Sequence, residues 1–211
     1  MDVFIGIDPS LNSSGICILK YDGDKKIKEY FGITKPNKLT KKEQEAQDKY
    51  LFFDYHIYAK KELKDIEDTH VKEIEKTLNY LRNANTIIDI IRKNTVHEDN
   101  VYVVQEGISY GSSIRTKSVF DLAGLNYVLR LQLARLGQRR FNNGIYAAFI
   151  PPTEIKKFAT GSGNCKKEIL VNQFKMLYPK FDLPKIDDVC DAYYMALYAK
   201  YMKDNDYECF K

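Results

Sequence analysis

Val3-Phe4-Ile5-Gly6-Ile7-Asp8 opens the chain with an apolar run, rich in β-branched residues, that stops in one carboxylate. Such a run reads as a buried strand that delivers Asp8 at its exit, at an edge of the core. Pro9-Ser10-Leu11-Asn12-Ser13-Ser14-Gly15 is turn-forming, and Ile16-Cys17-Ile18-Leu19 returns as a second strand. A carboxylate at the base of such a hairpin suits a metal ion or a phosphate site. A strand-end Asp also caps turns, so Asp8 alone decides nothing.

Two later stretches change that. Val101-Tyr102-Val103-Val104-Gln105-Glu106 repeats the pattern, an apolar β-branched run ending in an acid, with Gly107 next. If the two strands are parallel neighbours in an α/β sheet, Asp8 and Glu106 meet at its carboxyl edge, where ligand sites form. The segment after Pro184, Lys185-Ile186-Asp187-Asp188-Val189-Cys190-Asp191-Ala192, leads into an Ala-containing helix. Asp188 and Asp191 are three apart and share a helix face. Asp187 is either the cap or, with Asp191, the competing pair. The helix dipole favours acids in a first turn. It does not account for Asp191 beside Val189 and Ala192 at the apolar boundary.

The remaining elements follow from punctuation and period. Residues 21–24 form a turn and 27–34 a third strand, completing an antiparallel three-strand meander. Residues 35–69 are charged and lack a steady period, although Tyr50-Leu51-Phe52-Phe53 and Tyr55-His56-Ile57-Tyr58 are locally apolar. They read as a partly helical insertion packed on the main fold. Val71, Ile74, Leu78, Leu81, Ile88 and Ile91 follow helical spacing over about 20 residues. Phe120, Leu122, Leu125, Val128, Leu129 and Leu133 predict a second long helix over 118–136. Residues 145–150 form a strand stopped by Pro151-Pro152, followed by a short helix. The loop Thr160-Gly161-Ser162-Gly163-Asn164 leads to a helix opened by Lys166-Lys167-Glu168. A glycine loop before two lysines suits phosphate contact, yet it lacks the spacing of a nucleotide-binding P-loop. His70 and His97 have no partner at ligand spacing and read as surface residues.

The chain of 211 residues carries a net charge of only +4, so charge alone announces no nucleic-acid partner. Lysines and arginines do cluster at 35–42, at 130–140, and at Lys156, Lys157, Lys166 and Lys167, a distribution able to contact phosphates. Cys17, Cys165, Cys190 and Cys209 have no zinc or redox spacing and read as reduced thiols. The start enters a strand at once, and no apolar run approaches membrane-spanning length. The expectation is one domain over 1–211 with an insertion at about 35–69, with no membrane partner and a cytoplasmic location.

Bringing Asp8, Glu106, Asp188 and Asp191 within a few ångströms is untenable without cations. Hard divalent ions answer that need. Magnesium takes oxygen ligands, and two such ions about 4 Å apart serve phosphodiester cleavage. The expected chemistry is metal-dependent hydrolysis of a nucleic-acid backbone.

In order, Gly6-Ile7-Asp8-Pro9-Ser10 with Gly15, the strand ending in Glu106, Thr160-Gly161-Ser162-Gly163-Asn164-Cys165-Lys166-Lys167, and Asp187-Asp188-Val189-Cys190-Asp191-Ala192 resemble the RuvC-type Holliday junction resolvases of the ribonuclease H-like superfamily. The resemblance spans most of the chain outside 35–69. It implies an α/β fold with a mixed five-stranded sheet, an antiparallel three-strand meander plus two parallel strands, flanked by helices. It also implies a homodimer that makes paired nicks across four-way DNA junctions in recombination or replication. Asp8, Glu106, Asp188 and Asp191 would hold two magnesium ions per site, with manganese as the substitute. Lys167, or Lys166 in its place, would meet the scissile phosphate. Tyr110, Ser112, Arg115, Lys117 and Lys166 would contact branched DNA. The long 35–69 segment and the Glu106-Gly107 pair depart from the bacterial pattern and suggest a divergent viral or phage-like branch, acting in a host cytoplasm.

Three other readings share parts of these features. Another nuclease on the same fold, acting on RNA–DNA hybrids, other branched DNA or DNA to be packaged, needs the same acids. An ATPase of the sugar-kinase and actin superfamily shares the first hairpin but needs further phosphate motifs that are missing. A cleavage-dead branched-DNA-binding protein would keep the fold, but four acids near DNA phosphates are unfavourable without metal.

Overall fold

The computed structural model describes residues 1–107 and 117–210. Strand β1 (Asp2–Asp8) pairs antiparallel with β2 (Gly15–Asp22), which pairs antiparallel with β3 (Lys25–Pro36). Helix α1 (Lys41–Lys49) then leads to β4 (Phe53–Tyr58), parallel to β3. Helix α2 (Thr69–Asn94) crosses to β5 (Asn100–Glu106), and α3 (Lys117–Arg140) leads to β6 (Ile145–Ile150). Strands β1, β5 and β6 are mutually parallel in that order. Helices α4 (Pro152–Thr160), α5 (Lys167–Leu177) and α6 (Ile186–Asp204) follow, then a 3-10 turn at Glu208–Phe210. Among the described residues the sheet order is β4-β3-β2-β1-β5-β6.

The meander and the two parallel strands are as the sequence predicts, but the sheet has a sixth strand. The 35–69 segment supplies it, running from Phe31 opposite Phe53 to Pro36 opposite Tyr58. Phe53 and Tyr55 alternate inward as strand residues should. The alternation then breaks, because Ile57 lies 50% exposed on the open edge while Tyr58 turns in. That break hid the strand from a period-two reading. Helix α1 has a capping box, with the Thr40 side chain and the Glu43 carboxylate bonding each other's backbone N–H groups.

Alternation along β1 divides the core. Val3, Ile5 and Ile7 join Ile87, Ile88 and Ile91 of α2 and Leu129 and Leu133 of α3 on one face. Phe4 faces the other side, with Phe174 of α5 and the alanines of α6. There the Phe31 ring lies 5.5 Å from Phe181 and 5.9 Å from Phe174, and Tyr50 from the inserted segment closes on Phe181 at 4.9 Å. These offset and edge-on rings fill a wide gap that aliphatic side chains would leave partly empty. The long helices overhang the sheet at their amino ends. Ile74 is 60% exposed and Phe120 70% exposed, although both fit the apolar stripes read from sequence. No described helix is long and apolar enough to cross a membrane.

Helix α6 sits directly on β1. A Cβ placed on Gly6 would stand 1.8 Å from the Ala192 carbonyl oxygen and 2.5 Å from the Ala196 nitrogen, and Ala192, Ala196 and Ala199 are fully buried. Only a missing side chain on the strand and small ones on the helix allow this backbone-to-backbone approach. Gly6→Ala is therefore expected to destabilise the fold by about 3 kcal/mol or more, beyond ordinary overpacking, because no flexible side chain can yield. Urea denaturation followed by circular dichroism reads the loss; a midpoint equal to wild type would contradict the contact.

Candidate active site

Three elements deliver the four acids. Parallel registry sets Ile7 beside Gln105, so Asp8 and Glu106 leave adjacent strands at the same sheet edge. The seating of α6 on Gly6 brings its first two turns over that edge. A Cβ on Gly15 would meet the Asp188 carbonyl oxygen at 2.0 Å, so the β1–β2 hairpin also packs on the α6 backbone.

The electrostatics report the convergence. Burial raises the Asp8 carboxyl well above the usual range, and Glu106, Asp191 and Asp188 each raise it further. Glu106 is raised by burial and by Asp191, against the opposing pull of Asp8 beside it and of Lys167 and Lys156. Burial also raises Asp188 and Asp191. Asp187 is half-exposed and pairs with Lys167, whereas Asp188 and Asp191 are the α6 acids that act on Asp8.

The acids are held in pairs. Asp8 lies beside Glu106, Asp188 accepts from the Ser13 hydroxyl, and Asp191 meets the Lys167 ammonium at 2.9 Å. Lys167 also lies 3.2 Å from Asp187. Burial disfavours its charge, but the two carboxylates outweigh that and hold Lys167 firmly protonated. Among the described residues no three acidic, histidine or cysteine side chains close on a single ligating point. A cleft of about 160 Å³ lies alongside, lined by Glu106, Pro152, Ile155, Lys156, Lys167, Leu170, Asp191 and Met195. The donor set is all carboxylate oxygen, with two ammonium groups at the rim.

Lys166 is the exposed N-cap of α5 and makes no ion pair with the described acids of the group. Tyr110, Ser112 and Arg115 lie outside the described residues. Lys117 opens α3, but its side chain lies outside them too.

Sequence reading missed the scaffold of the hairpin turn, residues 9–14. Asn83 of α2, almost fully buried, donates to the Ser10 carbonyl at 3.0 Å and accepts from the Thr34 hydroxyl at 2.8 Å. Thr34 in turn accepts from the Ser14 N–H at 3.2 Å. From the other side the Tyr58 hydroxyl donates to the Leu11 carbonyl at 3.1 Å, and Lys60 donates to the Asn12 side chain at 2.8 Å. Asn79 and Asn83, four apart on the inward face of α2, were the available signal, since buried amides need specific partners.

This topology, a mixed six-stranded sheet flanked by helices, is an α/β fold. Its solved structural neighbours include RuvC of Thermus thermophilus, matched over 97% of this chain and 96% of that one at 12% identity and a TM-score of 0.53. The same bacterium's RuvC in complex with a Holliday junction substrate matches over 96% of each chain at 14% identity and a TM-score of 0.54. The chain thus has the RuvC fold. No protein-family model and no curated protein sequence matches it.

The raised Asp8 carboxyl has a consequence for stability in chelator. A folded-state value above the unfolded one means that stability is fullest at low pH. It is lost as pH rises from the ordinary carboxylate range through the raised value. Asp8→Asn removes that loss, so at pH 8 with EDTA it should be more stable than wild type by about 1 kcal/mol, as is common when a functional site is relieved. Near pH 4 the gain should vanish. Denaturant midpoints at the two pH values check this, and an Asp8→Asn protein less stable than wild type at pH 8 would refute it.

Proposed function

We propose that this chain is a metal-dependent endonuclease that resolves four-way DNA junctions in recombination or replication. The observation that carries the reading is the four-carboxylate group. Asp8, Glu106, Asp188 and Asp191 come from three elements, the other three each raise the proton affinity of Asp8, and the group sits at the carboxyl edge of a RuvC-type sheet. Such a group can ionise together only if cations compensate it, and its all-oxygen chemistry fits hard divalent ions. Asp8, Glu106, Asp188 and Asp191 would hold magnesium or manganese. When bound, a pair of such ions supplies Lewis-acid stabilisation of the phosphodiester and makes a water nucleophile available near neutral pH.

The chain's own groups do the rest. Glu106 and Asp8, once ionised, would serve as anionic ligands, and a carboxylate of the group would accept the proton released by attacking water. Lys167 is already paired and firmly protonated. Its ammonium, on the rim of the cleft, can exchange a carboxylate partner for a phosphate oxygen and offset charge developing there. Ile155, Leu170 and Met195 line the cleft beside Glu106 and Asp191 and reduce the screening of charges there.

Paired nicks need two such sites, and we read the active species as a homodimer. Support comes from the outward face of α3, where Phe120, Tyr127 and Leu131 are 70%, 59% and 53% exposed along one stripe. Sedimentation equilibrium should return twice the chain mass; a monomer at micromolar concentration would remove the dimer from the reading.

The deciding experiment incubates the protein with an end-labelled immobile four-way junction, linear duplex and RNA–DNA hybrid, with magnesium, manganese or EDTA. Expected are metal-dependent paired nicks confined to the junction, with Asp8→Asn slower by about 10³-fold or more and Lys167→Ala by about 10²-fold. Cleavage only of hybrid or linear duplex would reassign the substrate. Tight junction binding without cleavage in either metal would make the chain a binding protein.

A further inference from the structure

Ser13 belongs to no motif, yet it is 1% exposed and sits where the hairpin turn meets α6. Its hydroxyl donates to Asp188 Oδ2 and accepts from Lys185 Nζ at 3.0 Å. The direction of both bonds is set by chemistry. An ammonium has no lone pair, so Lys185 must fill an acceptor position on Ser13, and the single hydroxyl hydrogen is left for the carboxylate. The chain Lys185–Ser13–Asp188 is therefore polarised in one sense, which strengthens the bond to the acid.

The backbone fixes both ends of this chain. The turn holding Ser13 is tied to Asn83 through Ser10 and Ser14, and Gly15 packs on the Asp188 backbone. Helix α6 begins at Ile186, its N-cap Lys185 makes no side-chain cap bond, and the hairpin meets its first turn through Ser13 and Gly15 at Asp188. One oxygen of Asp188 is thereby clamped to the strand pair that also carries Asp8.

We propose that Ser13 is a positioning residue for Asp188, oriented by Lys185, that presets this carboxylate for a divalent cation. The proposal rests on the metal-binding reading of the site given above. Groups that bond a ligating side chain commonly change metal affinity by about 10–100-fold when removed. Ser13 accordingly does more than close a turn.

The test measures Mn²⁺ binding to the DNA-free protein by calorimetry and by electron paramagnetic resonance of the unbound ion. It compares wild type, Ser13→Ala, Lys185→Met and Thr95→Ala, with unfolding midpoints taken in EDTA. Thr95 bonds the Ile91 carbonyl at 2.7 Å at the far end of the strands, and serves as a buried-hydroxyl control. Expected is Mn²⁺ affinity about tenfold lower in Ser13→Ala, a smaller loss in Lys185→Met, and wild-type affinity in Thr95→Ala whatever its midpoint. Wild-type affinity in both Ser13→Ala and Lys185→Met would overturn the proposal while leaving the metal site standing. Losses that merely track the midpoints, Thr95→Ala included, would also overturn it, as a purely structural effect. Absence of Mn²⁺ binding by wild type would instead overturn the metal reading, and the proposal with it.

Discussion

Helix α6 touches strand β1 through backbone at Gly6, and the geometry of the site depends on that contact. Asp191 precedes Ala192, whose carbonyl lies where a Gly6 Cβ would be. The separation of Asp191 from the strand-end acids is thus set by two backbones in contact, with no side chain free to adopt another rotamer between them. A layer of ordinary side chains would lift α6 to the usual distance of a helix from a sheet and carry Asp188 and Asp191 away from Asp8. The small residues of α6 serve this contact: Ala192, Ala196 and Ala199 are buried without exposure, while the tyrosines of the same helix pack elsewhere.

Close approach creates the opposite problem, four acids in one poorly solvated place. The protein handles it in three ways. Asp8 lies beside Glu106, and burial together with the neighbouring acids raises its proton affinity. Asp191 is neutralised by Lys167, and Asp188 is satisfied by the Ser13 hydroxyl. Each is a local substitute for a compensating cation, and with these partners no three acids among the described residues share one ligating point. The same pairs are the ones that must rearrange when a stronger counter-charge arrives. This is the usual situation of a functional cluster kept at some cost to stability.

Sequence made the strand-end acids legible because a run of β-branched residues ending in Asp or Glu has few other readings, and two such runs agreed. The Asp188 and Asp191 pair was legible from helical spacing, with Asp187 left open because a first-turn acid has an independent reason to exist. The 35–69 segment resisted because β4 is an edge strand. Its outward residue Ile57 is apolar, and its partner β3 lies in a different part of the sequence, so no local period marked it. Ser13 and Asn83 resisted for another reason. Their roles are hydrogen bonds across 175 and 73 residues of chain, and a serine in a turn or an asparagine in a helix carries no trace of such a partner.

The inserted segment then acquires a structural logic. Strand β4 extends the sheet beyond β3, and its last residue, Tyr58, reaches the Leu11 carbonyl, with Lys60 beyond it on Asn12. The turn after Asp8 is gripped by α2 through Asn83, by α6 through Asp188, and by the insertion through Tyr58 and Lys60. A turn of small polar residues has little packing of its own to hold a conformation, and its backbone groups need partners wherever water is excluded. Three independent grips supply them. The segment that departs most from the bacterial pattern therefore ends on the most demanding loop of the site, and a chain without it would need another means of ordering residues 9–14.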